Sequence, residues 1–419
     1  MIIERLPSFL QRFFSPMRPR LSGPQFAHLW SLVLAVVVNL RAAKLVHLSA
    51  ATPRQGHRTS AGAFLSRSDW DAPALVERAA ADLLASMKPR AGEVVYLILD
   101  DTRIPKRGRK MGYVSKIWDH EQQRFVRGHV ALFAAVAFRG VVLPWKVELW
   151  KPKGHPCPRY RKLTDMAAAM VKAFVAPAGV KVRVLFDAFY LCPTVTKACE
   201  GNGFTFFSVA ARNRTFTTDH GRRRGIAALM PEERESAAAP RRLLRHKGRR
   251  VRMRRSRGHA TLRIASADGH LSRIGRVRMV VSKRPRGPWK KCVAAVVTDE
   301  TGLRPRQVVA IYEMRWLIEV LFKELRQDLG LADYQMLAED GIVHHLHVCC
   351  LAHLLLTHRS VEALGAQASK PNEQVTLPPM SMRLADLRAE IARDHIERLV
   401  PGEQHAKLRQ KMCEQLLAA

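Results

Sequence analysis

Apolar residues recur with helical spacing over residues 24–48 and again over 72–87, which predicts a mostly helical first segment, 1–88. Between them, residues 49–68 are rich in Ser, Thr, Gly and Arg and read as a connection. The pattern changes near Ala91. Residues 94–99 form a continuous β-prone apolar run, as in a strand buried on both faces, and end in Asp100-Asp101-Thr102. A Lys/Arg/Gly loop over 105–112 follows. Two β-rich runs, 130–138 and 141–150, then flank Arg139-Gly140, a hairpin signal. Residues 161–174 read as a helix and 180–186 as a second buried strand that ends at Asp187. A helix from about Thr194 and a strand over 204–210 come next.

Hairpin-connected strands followed by helix, strand, helix and strand predict an α/β fold with a mixed sheet. Each of the two buried strands delivers an aspartate at its C-terminal end, the usual place for a site in such sheets. Composition shifts at Arg212. Residues 241–263 hold eleven Arg or Lys, and β-like runs appear at 259–264, 276–282 and 292–298. This predicts a basic β-rich insertion over 212–300, with a disordered basic linker as the alternative. A long helix is predicted over 301–329, with Pro305 in its first turn and Gly330 at its end. A further helix over 341–359 closes a segment 301–360. Residues 361–419 read as a linker and a helical tail.

Charge then narrows the partner. The 419 residues include 70 Lys plus Arg against 36 Asp plus Glu, a formal net charge of +34. A surface this basic seeks a polyanion, most plausibly nucleic acid. Seven irregularly spaced cysteines without a Cys-x-x-Cys argue against a disulfide scaffold and favour a reducing compartment. The apolar run 29–40 falls short of the ~20 residues that span a bilayer. The expectation is a soluble intracellular protein with no membrane partner.

The helix containing IYEMRWLIEVLFKELRQ, residues 311–327, carries candidate chemistry. At about 100° per residue, Tyr312, Arg315, Glu319 and Arg326 share one stripe roughly 60° wide. Trp316, Val320 and Lys323 make a neighbouring stripe. A solvated face laced with ion pairs is the plain alternative. Together with Asp101 and Asp187, Glu319 would make three carboxylates around one end of a sheet. Hard oxygen ligands of this kind suit two magnesium or manganese ions for phosphoryl transfer.

Three stretches carry a family resemblance. LILDDTRIPKRG, from Leu97, resembles the first-aspartate motif of bacterial insertion-sequence DDE transposases, and VLFDAFY, from Val184, resembles their second. YEMRWLIEVLFKELRQDLGL, from Tyr312, resembles the Tyr-x2-Arg-x3-Glu-x6-Lys signature of the insertion sequence four family, with Arg326 where the signature has lysine. Arginine keeps the charge but is not a simple replacement. The resemblance covers roughly residues 90–335. It implies an RNase H-like catalytic core of the retroviral integrase superfamily, over 89–211 and 301–360. The β-rich insertion would interrupt this core and helices would follow it; the helical segment 1–88 before it reads as a DNA-binding domain, with a helical packing cap as the alternative.

The resemblance further implies a cut-and-paste transposase in which Asp101, Asp187 and Glu319 are catalytic and hold two Mg2+, with Mn2+ as substitute. Of the pair Asp100-Asp101, strand alternation sends one into the site, and the motif places it directly before the threonine, hence Asp101. Tyr312, Arg315 and Arg326 would contact phosphates of the transposon end, with a core tyrosine as the alternative for Tyr312. From the residues themselves, Lys323 adds a cation, and the loop Lys106–Lys110 reads either as a cradle for DNA phosphate or as a plain solvated charge run. Trp289 would stack on a flipped base or serve as a core tryptophan. The partners implied are double-stranded DNA, as transposon ends and target, and a second copy in a synaptic dimer. The compartment implied is the bacterial cytoplasm, at the nucleoid. A nuclease of the same fold without strand transfer, or an inactive transposase-derived DNA-binding protein, would carry most of these features.

Overall fold

Ser22 opens the first long helix, α1 (Gly23–Val38). Its hydroxyl accepts from the Gln25 N–H while the Gln25 side chain accepts from the Ser22 N–H. The helix stops at Asn39, whose side-chain amide donates to the Arg41 carbonyl at 2.6 Å and whose oxygen accepts from the Arg41 N–H at 3.2 Å. That local turn competes with helix continuation. The predicted helix over 24–48 is therefore two, and a short one, Leu45–Ala50, follows the break.

The computed structural model describes residues 5–51, 58–119, 123–153, 160–219, 221, 223–226, 249–255, 258–283, 294–365, 373–402 and 405–418. The chain divides into two compact units. The first is Met1–Arg90, Asp101–Tyr160 and Val320–Ala419; the second is Ala91–Asp100 and Arg161–Glu319.

In the first unit α1, α2 (Arg58–Arg67) and α3 (Ala72–Ser86) precede β1 (Val94–Pro105), which enters the unit at Asp101. Helix α2 lies where composition predicts only a connection. Strand β2 (Ser115–Asp119) pairs antiparallel with β3 (Arg124–Phe138), and β3 pairs with β4 (Val141–Leu149). The β3–β4 turn is Arg139-Gly140 with φ of 47° and 88°, the geometry a two-residue hairpin needs. The Arg139 guanidinium donates to the Met87 carbonyl at 2.9 Å and ties the turn to the end of α3.

The second unit holds α4 (Leu163–Ala173), β5 (Lys181–Phe186), α5 (Pro193–Gly201), β6 (Thr205–Val209), β7 (Thr215–Thr218), β8 (Arg223–Gly225), β9 (Arg249–Arg255), β10 (Gly258–Leu271), β11 (Gly275–Lys283) and β12 (Ala294–Thr298). Its sheet runs β1-β5-β6-β12-β11-β10-β7-β8, with β9 on the side of β10. The β1–β5 and β5–β6 pairs are parallel and the rest antiparallel. The strands of the basic segment thus continue the sheet, through β12 on β6.

The helix predicted over 301–329 is interrupted. Helix α6 (Pro305–Glu313) ends in a tight turn, where the N–H groups of Met314 and Arg315 bond three residues back, to Ile311 and Tyr312. Helix α7 (Trp316–Lys323) then widens into a π-helical turn, Glu324–Asp328. Gly330 follows at φ +67°, where an added Cβ would meet the Ala43 Cβ at 2.4 Å. Helices α8 (Glu339–Leu364), α9 (Met380–Leu399) and α10 (Ala406–Ala418) complete the first unit.

Helix α8 is its central element, touching α1, α2, α3, β4 and α9. It is the one helix among the described residues long and apolar enough to cross a membrane, and 89% of its apolar stretch is buried. Its histidines face protein partners: His344 the Leu65 carbonyl, His345 that of Gly330, His347 that of Val343, and His353 the Glu324 carboxylate.

Candidate active site

Five side chains of interest gather in the second unit. Asp100 follows the buried run Leu97–Leu99 of β1. Strand β5 ends at Phe186, and Asp187 turns the chain: its carboxylate accepts from the N–H groups of Phe189 at 2.9 Å and Tyr190 at 3.4 Å, while Ser208 donates to its carbonyl at 3.0 Å. The turn between α6 and α7 presents Tyr312, Arg315 and Glu319.

Arg315 organises the group. Its Nη1 lies 2.6 Å from Asp100 Oδ2 and its Nη2 3.2 Å from Glu319 Oε1. Asp100 and Arg315 are largely buried, while Glu319 is about a third exposed. One guanidinium thus holds two carboxylates from distant parts of the sequence. Burial pushes the Tyr312 phenol up to about 12, the charges of Asp187 and Asp100 push the same way, and Arg315 opposes them. Tyr312 therefore lies within electrostatic reach of both aspartates and stays protonated at neutral pH.

The structure separates the two adjacent aspartates. Asp100 is the residue that faces Arg315. Neighbours in a strand point to opposite faces, and Asp101 lies near Arg103, whose Nη2 is 3.9 Å away. The motif alone gave no sign of this, because the deciding partner, Arg315, is 215 positions away.

The remaining described candidates belong to the first unit. Arg326, inside the π-helical turn of the first unit, donates to the Thr102 hydroxyl and, at 2.5 Å, to the Arg103 carbonyl. The single stripe expected to hold Tyr312, Arg315, Glu319 and Arg326 presumes an unbroken helix; the tight turn and the π turn change that spacing. Lys323 is exposed at the end of α7. The Lys106 ammonium donates to the carbonyls of Ala332 at 2.6 Å and Tyr334 at 2.8 Å, 3.3 Å from the centre of the Tyr334 ring. Burial lowers it to about 8. Trp289 lies outside the described residues.

Among the described residues no three His, Cys, Asp or Glu side chains stand close enough to form a ready metal site. The donor chemistry nevertheless fits a hard divalent cation. Asp100 and Glu319 offer carboxylate oxygens gathered around one positive charge, and Asp187 adds a third at the end of β5.

The sequence profile of the transposase DDE domain matches residues 95–355. The chain belongs to the DDE transposase family. The match covers more than half of the chain and takes in β1, β5 and α7 with all the acids discussed, so the RNase H-like reading of the fold stands on it. No curated protein matches the chain. DNA is the substrate the family implies.

Proposed function

We propose that this DDE transposase cuts DNA at the ends of an insertion sequence and joins the freed 3′ ends to target DNA. The observation that carries the reading is Arg315 held between Asp100 and Glu319. Asp100, Asp187 and Glu319 would hold two Mg2+, or Mn2+, with Asp101 as the other candidate for the first position. When bound, such a pair activates the attacking oxygen and stabilises the leaving one.

This chain's own residues orient the reaction. Arg315 fixes Asp100 and Glu319 and supplies a cation beside the scissile phosphate. Tyr312, kept protonated, donates a hydrogen bond to a phosphate oxygen. Lys323 and the wider positive surface attract the DNA backbone. Membership of the insertion sequence four family, action as a synaptic dimer on double-stranded ends and a place in the bacterial cytoplasm follow from the resemblance of the Tyr-Arg-Glu segment.

The test is incubation of the purified full chain with a labelled duplex carrying the DNA that flanks its own gene, with magnesium or manganese, beside Asp187→Ala. Cleavage at a repeat boundary that the variant lacks supports the reading, and joining of pre-cleaved ends completes it. Cleavage without joining would make the protein a nuclease. Tight binding without cleavage in either metal would make it an inactive DNA-binding relative.

A further inference from the structure

The β2–β3 hairpin of the first unit displays an unusual outer face. Among the described residues strand β2 is an edge strand, paired with β3. Its residues alternate in burial, with Lys116 and Trp118 outward and Ile117 and Asp119 inward. The register sets Lys116 opposite Arg127 and Trp118 opposite Phe125. Trp118 is 36% and Phe125 57% exposed. The two rings meet edge to face at 5.0 Å, and the Lys116 ammonium lies 4.6 Å from the centre of the Phe125 ring.

Hairpin stability does not explain this set. Like charges directly opposite on a sheet destabilise it. Among the described residues no carboxylate pairs with Lys116 or Arg127. Lysine on an edge strand does protect against aggregation, but large exposed aromatics work against that purpose. The segment leading into β2 adds exposed Arg107 and Arg109.

Cations that follow a phosphate chain, next to aromatic rings that offer faces and edges to bases, are the features of surfaces that take single-stranded nucleic acid. Intact duplex offers phosphates but keeps its base faces stacked. We infer that the outer face of the β2–β3 hairpin, carrying Lys116, Trp118, Phe125 and Arg127, binds an unpaired stretch of the DNA substrate. Lys116 and Arg127 pair with its phosphates, and Trp118 and Phe125 stack on its bases. This deepens the transposase reading and rests on it, because strand cutting and joining expose unpaired DNA next to the protein.

The experiment measures fluorescence-anisotropy affinity of the full chain for a labelled mixed-sequence single strand and for the same sequence as a blunt duplex, over a salt series. The variants are Trp118→Ala/Phe125→Ala, Lys116→Gln/Arg127→Gln and the conservative Trp118→Phe, each with a thermal unfolding curve. The aromatic double variant is expected to bind the single strand about five- to a hundredfold more weakly, with much less change on duplex. Trp118→Phe should recover most of that loss. The charge variant should lower the single-strand salt slope by about 1.4.

Wild-type affinity and slope in both double variants overturn the inference while leaving the transposase reading in place. Equal losses on single strand and duplex overturn it in favour of duplex contact. A changed sedimentation state with unchanged DNA affinity assigns the face to a second copy of the chain. Failure of the wild-type chain to bind either DNA overturns both readings.

Discussion

Arg315 Nη1 donates to Asp100 Oδ2 at 2.6 Å, across 215 positions of sequence. The contact joins the end of the first buried strand to the turn between α6 and α7. It ties the first-strand acid to the Tyr-Arg-Glu segment, so several expectations hang on it.

Arg315→Ala should cost about 3 kcal/mol of stability, because it leaves the largely buried Asp100 carboxylate without its partner. Arg315→Lys should recover part of this, since an ammonium cannot serve two carboxylates in the forked way a guanidinium does. Thermal unfolding with and without magnesium checks the account. The Ala variant should gain more in Tm from magnesium than wild type does, because the ion would replace the missing charge. An equal gain in both proteins would separate the ion from these acids.

Asp100→Asn should abolish cleavage of a transposon-end duplex, at least a hundredfold, while Asp101→Asn should leave activity readily measurable. Asparagine keeps the size of each side chain, so unfolding curves separate a lost ligand from a lost fold. The reverse order of effects would return the first position to Asp101, as the sequence motif favours.

These two aspartates mark where sequence reading stops. The runs that become β1 and β5 are legible because strands buried on both faces need unbroken apolar character. Arg139-Gly140 is legible because a tight hairpin needs positive φ. Strand β2, with sequence SKIWD, is not, because a short half-exposed edge strand carries no apolar run. The α6–α7 break is hidden for another reason: apolar spacing runs through it, and it arises from hydrogen bonds at Met314 and Arg315 that no periodicity records. Helix α2 is hidden because Ser, Thr and Gly dominate a segment that tertiary packing on α8 makes helical. Within the site, the residue types were readable, but which of two adjacent aspartates meets Arg315 depends on strand phase and distant packing.

Acid should destabilise the first unit through its buried imidazoles. Burial lowers His129, His345 and His347 to about 4, against about 6.5 in an unfolded chain. Between these values the unfolded chain binds more protons than the folded one. The stability these groups contribute is therefore complete above about pH 6.5 and is lost as pH falls toward 4. Asp328, raised by burial, and Asp299 of the second unit, raised to about 6 by burial, run the other way. Tm should fall steeply from pH 7 to pH 5. His129→Gln should lower Tm at pH 7, through loss of the bonds to Tyr334 and the Gly112 carbonyl, yet shallow the acid slope. An unchanged slope would place the acid sensitivity elsewhere.

The π-helical turn should depend on a buried ionic anchor. Glu324, its first residue, takes Arg383 Nη2 at 2.7 Å on one oxygen and His353 Nε2 at 2.8 Å on the other. Burial alone would raise this carboxyl, but the bonds from His353 and Arg383 outweigh it and hold it below its ordinary range. Arg383 also donates to the Thr357 hydroxyl at 3.2 Å, which itself donates to the His353 carbonyl at 2.8 Å. Arg383→Met keeps much of the volume but leaves Glu324 charged and underpaired, so it should cost about 3 kcal/mol. Glu324→Gln alone leaves the buried guanidinium underpaired and should cost a similar amount. The double variant removes both charges and should cost clearly less than the two singles added, by at least about 1 kcal/mol of coupling. Denaturant unfolding of the four proteins measures that difference. Additive losses would mean that the turn is held by apolar packing around Leu325 and Leu329, and that the ion pair is incidental to it.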